Sequence, residues 1–327
     1  MADDIEREVR NLVLLQRFAN GLARNGRARF RELLDEITAE VMRHDPTSVV
    51  ARYRKARLAK TLDAIKQAVA GGYKDIEQAW REALVALGVN QAAQAEAILA
   101  ASGVPVASVV TKRAAQTIVR DAIIDGYTLR EWMATAEAAF LRDVMRAVRV
   151  GVEHDDDGTV LVRAVRDTAR RARRHIDGIA RTATTAITNR NHIAVYEANA
   201  DVLEGVRFLA TLDSRTTIVC ASWDGTVWPV GDPGIQVPPL HFNCRSQLVP
   251  VVDWSSLGLP APSSSPRASD SGQVRVKNYE EWFSTQPPTK QDAIIGRERA
   301  ELFRRGKITF RDMVTRDNRV VTLDQLG

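Results

Sequence analysis

The spacing of apolar residues changes once along this chain, and that change constrains its fold more than any other feature. Before about residue 200 they recur every three or four positions. Val9, Leu12, Val13, Phe18 and Leu22 form one such series, and Phe30, Leu33, Leu34, Ile37 and Val41 form a second, as expected for amphipathic helices. Breaks are predicted at Asn25-Gly26, at His44 to Ser48 and at Gly71-Gly72. Thr128 is placed to cap the helix that begins at Leu129. Glu153 to Thr159 reads as a loop, and its acidic cluster lacks calcium-loop spacing and is expected to be a solvated turn. No fixed period links the helices, which disfavours a solenoid.

The helix expected from Val160 to Ala198 carries the clearest charge pattern. At about 100° per residue, Arg163, Arg166, Arg170, Arg174 and Arg181 fall in one stripe. Val165, Ala172, Ile176, Ile179, Ala183 and Ile187 lie opposite. One side is therefore expected to be buried. The arginine side is either a solvated face, diluted by Asp167 and Asp177, or a contact for phosphates or an acidic partner.

After Ala200 the pattern shortens. "EGVRFLATLD" interleaves Val206, Phe208 and Leu212 with polar residues and reads as a strand. Asp213 is placed to cap a short helix holding Thr217 and Cys220, and Asp224-Gly225 turns the chain into "TVWPV". Four prolines stiffen the next segment before "RSQLVPVV" reads as a second strand. Leu257 to Gly272, rich in Ser and Pro, is expected to be a linker without one conformation. Helical spacing returns through Trp282, Ile294, Ile295, Leu302 and Phe303, and "RVVTL" ends the chain as a short strand or tail. This last segment is too small to be stable alone and should dock on the body or on a neighbour.

The expected fold is thus mainly α with a small α+β domain. The 6% aromatic content agrees, because packed helices need fewer rings than a sandwich of strands. A formal charge of +5, set by 46 basic and 41 acidic residues, permits an anionic partner without demanding one. Two cysteines cannot build a multi-bridge secreted scaffold, "MADDIEREVRN" does not read as a signal peptide, and no window approaches a continuous apolar membrane span. A reducing cytoplasm and no required membrane are expected.

Cys220, His241 and Cys244 are the residues best suited to a metal. Zinc takes thiolate and imidazole in a tetrahedron, and His-x-x-Cys on a tight turn supplies two corners while Cys220 supplies a third. A fourth is missing, since Thr217 stands where a Cys-x-x-Cys knuckle would place a thiolate; Asp213, Asp224 or water could take its place. The same residues can instead pack the small fold without metal, or form a thiol nucleophile oriented by an aspartate. The chain contains no Gly-rich phosphate loop, Gly-x-Ser-x-Gly elbow or His-Glu-x-x-His helix.

"FLATLDSRTTIVCASWDGTVWPV" followed by "PPLHFNCRSQLVPVV" resembles the core of the phage Mu F-like minor head proteins, the phage head morphogenesis proteins. The matching positions are Asp213, Arg215, Thr216, Cys220, Asp224, Gly225, Pro238, Pro239, His241, Asn243, Cys244 and Arg245. "IARTATTAITNRNHIAVYEA" is similar to the family's leading helix, and the segment from Tyr279 to its C-terminal region. The resemblance covers about Arg174 to the end. Together with the helical character of the first half and the Ser/Pro composition after the second strand, it divides the chain into a helical region over 1–158, a Mu F-like α+β domain with its leading helix over 159–253, a Ser/Pro linker over 254–275 and a docking segment over 276–327.

It further implies a virion role. The protein would bind the portal inside the procapsid, with scaffold or major capsid protein as further partners, and would contact DNA non-specifically. It would support head assembly, DNA packaging or ejection, passing from the host cytoplasm to the capsid interior near the portal. No catalysis is expected. The alternative from another class is a virion-delivered enzyme, a zinc-dependent nuclease or toxin-like transferase, using Cys220, His241 and Cys244. The resemblance assigns zinc only in part, because of Thr217. Within the motif, Asp213, Arg215, Asp224, Gly225, Pro239, Asn243 and Arg245 are expected to close the small fold, with Arg245 pairing to Asp213 or Asp224.

Overall fold

The computed structural model describes residues 2–43, 50–109, 111–124, 126–258, 260 and 267–326. Among these, nine α-helices accompany a three-stranded and a two-stranded sheet. The fold is therefore mainly α with a small β component. The helices are α1 (Ala2–Arg43), α2 (Ala51–Ala101), α3 (Lys112–Asp121), α4 (Leu129–Glu153), α5 (Gly158–Ala198), α6 (Ile218–Trp223), α7 (Tyr279–Ser284), α8 (Pro288–Ile295) and α9 (Arg297–Arg304). The strands are β1 (Leu203–Leu209), β2 (Val227–Trp228), β3 (Gln247–Val252), β4 (Arg267–Ser269) and β5 (Gly272–Val274).

The chain divides into two compact units, a helical one from residues 17–85 and 119–183 and an α+β one from residues 1–16, 86–118 and 184–327. In the helical unit two predicted breaks are absent: α1 runs through Gly26 and α2 through Gly71-Gly72. Close packing, not a turn, explains two of these glycines. A Cβ at Gly26 would lie 2.5 Å from the Trp80 ring and 2.9 Å from Ile176, and one at Gly72 would lie 2.8 Å from Leu33. Glycine here trades helix propensity for close packing. The predicted break from His44 to Ser48 lies outside the described residues.

Phe30, Tyr73 and Phe140 form an aromatic cluster, with Phe30 and Phe140 centroids 4.8 Å apart. By length and composition alone, Tyr53–Ala101 of α2 is apolar enough to cross a membrane, contrary to expectation. In the fold Ile65, Val69, Tyr73, Ile76, Trp80 and Leu84 of that helix are buried. Thr128 caps α4 as predicted, in a full capping box with Glu131. Residues 154–157 form the turn to α5, where Asp155 pairs with Arg54 and Asp157 Oδ1 accepts from the Thr159 and Val160 N–H groups. Two of the acidic side chains are thereby used structurally.

In the α+β unit the sheet order is β2-β1-β3, all antiparallel, with Val206 opposite Trp228 and Phe208 opposite Leu248. Val206 and Phe208 are fully buried and Arg207 between them is exposed, the alternation of a half-covered strand. Gly205 is needed because a Cβ there would lie 2.2 Å from the Trp228 carbonyl oxygen. Pro250 is tolerated because β3 is an edge strand.

Residues 267–272, expected to belong to a structureless linker, are folded. They begin the β4-β5 hairpin, and Leu212 bridges to Ser269. An ion pair from Arg267, described below, supplies what composition did not reveal. Residues 259 and 261–266 of that stretch lie outside the described residues. Tyr279, Trp282, Phe283, Phe310 and Met313 pack with Leu212, Val219 and Ala221 in one core, so the C-terminal segment docks on α6. The Val320 end of "RVVTL" makes a single bridge to Val314.

Candidate functional site

The site is built on α6 and on the turn from His241 to Cys244. The cap of α6 is Thr217, not the expected Asp213: its side chain accepts from the Cys220 N–H at 3.3 Å. This places Cys220 in the first helical turn. Opposite it, the Cys244 N–H closes on the His241 carbonyl at 3.1 Å, and Asn243 takes the left-handed conformation at φ 66°, which asparagine tolerates better than most residues. The Pro238-Pro239 bond leading into this turn is cis. Thr185 of α5 donates its hydroxyl to the Cys244 carbonyl at 2.7 Å.

Three side chains converge. Cys220 Sγ lies 3.6 Å from Cys244 Sγ and 3.2 Å from His241 Nε2, and the ligand atoms of all three residues lie within 4.8 Å of one another. His241 Nδ1 sits 2.9 Å from the Phe242 carbonyl. With the proton on Nδ1, that bond fixes the ring and presents the Nε2 lone pair to the cluster. Thr217 Oγ1 is 2.9 Å from Nε2, so the threonine that replaces a knuckle cysteine is part of the cluster. The Cys220 hydrogen bond to Cys244 pushes the Cys220 thiol well above its usual range, with burial adding to it, and holds Cys244 well below, helped by His241.

Asp213 and Asp224, considered as fourth ligands, do not join the donors; each is held by an arginine. Arg245 binds Asp213 through two contacts, 2.6 and 2.7 Å, and Asp213 Oδ1 also accepts from the Arg215 N–H and the Thr216 hydroxyl. Burial alone would raise the Asp213 carboxyl, but Arg245 more than offsets it and the group titrates below the usual range. The Arg215 side chain is 83% exposed and reaches Asp213 Oδ2 only at 4.0 Å, whereas its N–H bonds Asp213 Oδ1 at 3.0 Å. Asp224 is fully buried. Burial raises its carboxyl, only partly offset by Arg267, whose guanidinium reaches it at 2.7 and 3.0 Å. Arg267 also donates to the Ala210 carbonyl, and Asp224 accepts from the Ala210 N–H. Gly225 follows at φ 86°, where a Cβ would press on Asn278 at 3.1 Å.

Several fastening residues escaped sequence reasoning. Asn189 Nδ2 donates to the Ser246 carbonyl and its Oδ1 accepts from the Leu248 N–H, so one side chain mimics a neighbouring strand at the start of β3. Asn199 grips both the N–H and the carbonyl of Ala107 in the same way. The Tyr279 hydroxyl donates to the Asp213 carbonyl at 2.9 Å. The available signal was a run of Thr and Asn in the second half of α5, where the apolar pattern leaves little surface to show them.

In the helical unit Arg163, Arg166, Arg170 and Arg174 are exposed along α5, whereas Arg181 is half-buried. Asp167 pairs with Arg170, and Asp177 pairs with Arg27 instead of the stripe. Arg142, Arg146 and Arg149, a second exposed series on α4, were missed although their spacing is also helical. Arg171 bonds Asp143, tying α5 to α4, so the two basic faces belong to neighbouring helices.

A leading helix, a small antiparallel sheet and a Cys/His-fastened turn together carry the Asp213 to Arg245 motif. Residues 113–249 match the family model described as "Phage Mu protein F like protein". The match begins earlier than the motif resemblance did, taking in α4 and most of α3, and ends within β3. Neither the curated proteins nor the solved structures contain a match.

Proposed function

We propose that this protein is a minor head protein that works by attachment, binding the portal inside the procapsid and supporting assembly, packaging or ejection. The observation that carries this reading is the Mu F-like match over residues 113–249. Within it the thiols, imidazole and carboxylates bind backbone, arginines or one another. Co-expression with the portal protein of the same phage is the test. The chain should co-sediment with the portal ring, and separate sedimentation would overturn the reading.

The exposed arginines of α5 fit contact with packaged DNA, which would be sequence-blind and salt-sensitive. Reversing Arg166, Arg170 and Arg174 to Glu should abolish retention of duplex DNA at low salt without lowering the melting temperature.

The donor set also fits zinc. Cys220, His241 and Cys244 would hold the ion with the Thr217 oxygen beside them, and the Phe242 carbonyl already orients the ring. When bound, the metal would supply cross-linking of α6 to the turn. Elemental analysis should find about one zinc per chain and none in Cys244→Ala.

A further inference from the structure

We propose that Cys220 and Cys244 form a closable thiol pair, converting to an intramolecular disulfide when the protein, free of metal, meets an oxidant of the small-molecule disulfide class. The inference does not depend on portal binding. Both cysteines are free and buried, 2% and 0% exposed, and their sulfurs are 3.6 Å apart. A disulfide needs about 2.05 Å, so rotation of the two side chains must close the remainder.

The backbone holds both residues in place for that rotation. Cys220 is held by its N–H bond to the Thr217 cap, and Cys244 by its N–H to His241 and its carbonyl to Thr185. The partners lie on different segments, α6 and the turn before β3, so the bond would close a loop from 220 to 244. The step draws the two sulfurs together, and His241 Nε2 would keep its contact with Thr217.

The chemistry is ordinary exchange. One cysteine thiolate attacks a sulfur of the external disulfide and expels one small thiolate, leaving a mixed disulfide on the protein. The second cysteine thiolate then attacks the protein sulfur and expels the other. Two protein thiols are oxidised, one external disulfide is reduced to two thiols, and the two cysteine protons pass to those products. Burial makes the first step slow, because the site must open for the oxidant to enter. It equally shields the finished bond. A head protein assembled in a reducing cell and then carried in a particle outside it would meet both conditions.

The test uses the full chain treated with a chelator, because metal and disulfide compete for the same sulfurs. After incubation in native buffer with oxidised glutathione, the protein is unfolded with N-ethylmaleimide and its intact mass is measured. Expected is a chain lighter by two hydrogens and carrying no maleimide, against two maleimides on the reduced control. The oxidised chain should also melt roughly 5 °C higher, the shift expected for closing a loop of this size. Cys244→Ser should instead retain one glutathione. Two maleimides after oxidation, glutathione retained on the parent chain, a disulfide-linked dimer or a lower melting temperature would each overturn the proposal. Portal co-sedimentation of the reduced chain, measured alongside, separates this result from the attachment reading.

Discussion

The two units are stabilised in opposite ways. The helical unit relies on shape: Gly26 lets the Trp80 ring and Ile176 approach, Gly72 admits Leu33, and arginines face outward. In the α+β unit a small sheet is held by side chains that bond directly to backbone, Asn189 and Asn199 among them, and by two arginine–aspartate forks. Helix α5 contributes to both: its first part has one buried stripe, and from Thr182 to Asn189 only Thr185 is not fully buried. In the α+β unit the buried apolar residues fall into separate clusters, and the buried polar groups must be satisfied one by one, so that each becomes a point of failure.

That contrast ranks the expected effects. Arg267→Ala should cost most, about 3–5 kcal/mol in urea unfolding, because it leaves Asp224 buried without its counter-charge. Adding Asp224→Asn should recover part of the loss, and strict additivity would break the argument.

Next comes acid. His192 is fully buried, and burial lowers its imidazole from about 6.5 to about 4. Between these values the unfolded chain binds the extra proton, so this contribution is complete above pH 6.5 and is lost as the pH falls to 4. Roughly 3 kcal/mol should disappear over that window. A His192→Gln variant, measured by denaturation at pH 7 and pH 4.5, should show a flatter profile than the parent.

Asn189→Ala should lower stability by about 2 kcal/mol, since it strands the Leu248 N–H in a buried site. Hydrogen exchange at Leu248 should accelerate by more than tenfold; an unchanged rate would mean that the strand mimicry carries no energy. In the helical unit, Gly26→Ala gains helix propensity but forces a methyl against Trp80, for a net loss of about 1 kcal/mol by thermal melting. A neutral or stabilised Gly26→Ala would show that this packing can yield.

Much of the fold was legible where one physical rule acts alone. Apolar period located α4, α5, β1 and β3, and Thr128 announced its cap. The glycines misled because the residue that breaks a helix is also the one that permits close approach, and only the facing side chain decides between them. Cys220, His241 and Cys244 were legible as a cluster from residue chemistry, and the Asp213–Arg245 pair was one of two options. The Arg267–Asp224 pair was not legible: a long separation joins them, and the arginine sits in a stretch whose composition argues against order. Asp213 was assigned a capping role because it suits one, but Arg245 claims its carboxylate and Thr217 stands next to the helix.

The asparagine grips have a consequence for how such a protein can diversify. Asn199 bonds main-chain groups of Ala107 and Val195, and Asn189 those of Ser246, Leu248 and Thr185. An anchor of this kind is blind to residue identity on the strip it holds. Outward-facing letters there can drift to suit a new neighbour while the path of the chain stays put, leaving the two amides themselves as the positions with least freedom to vary.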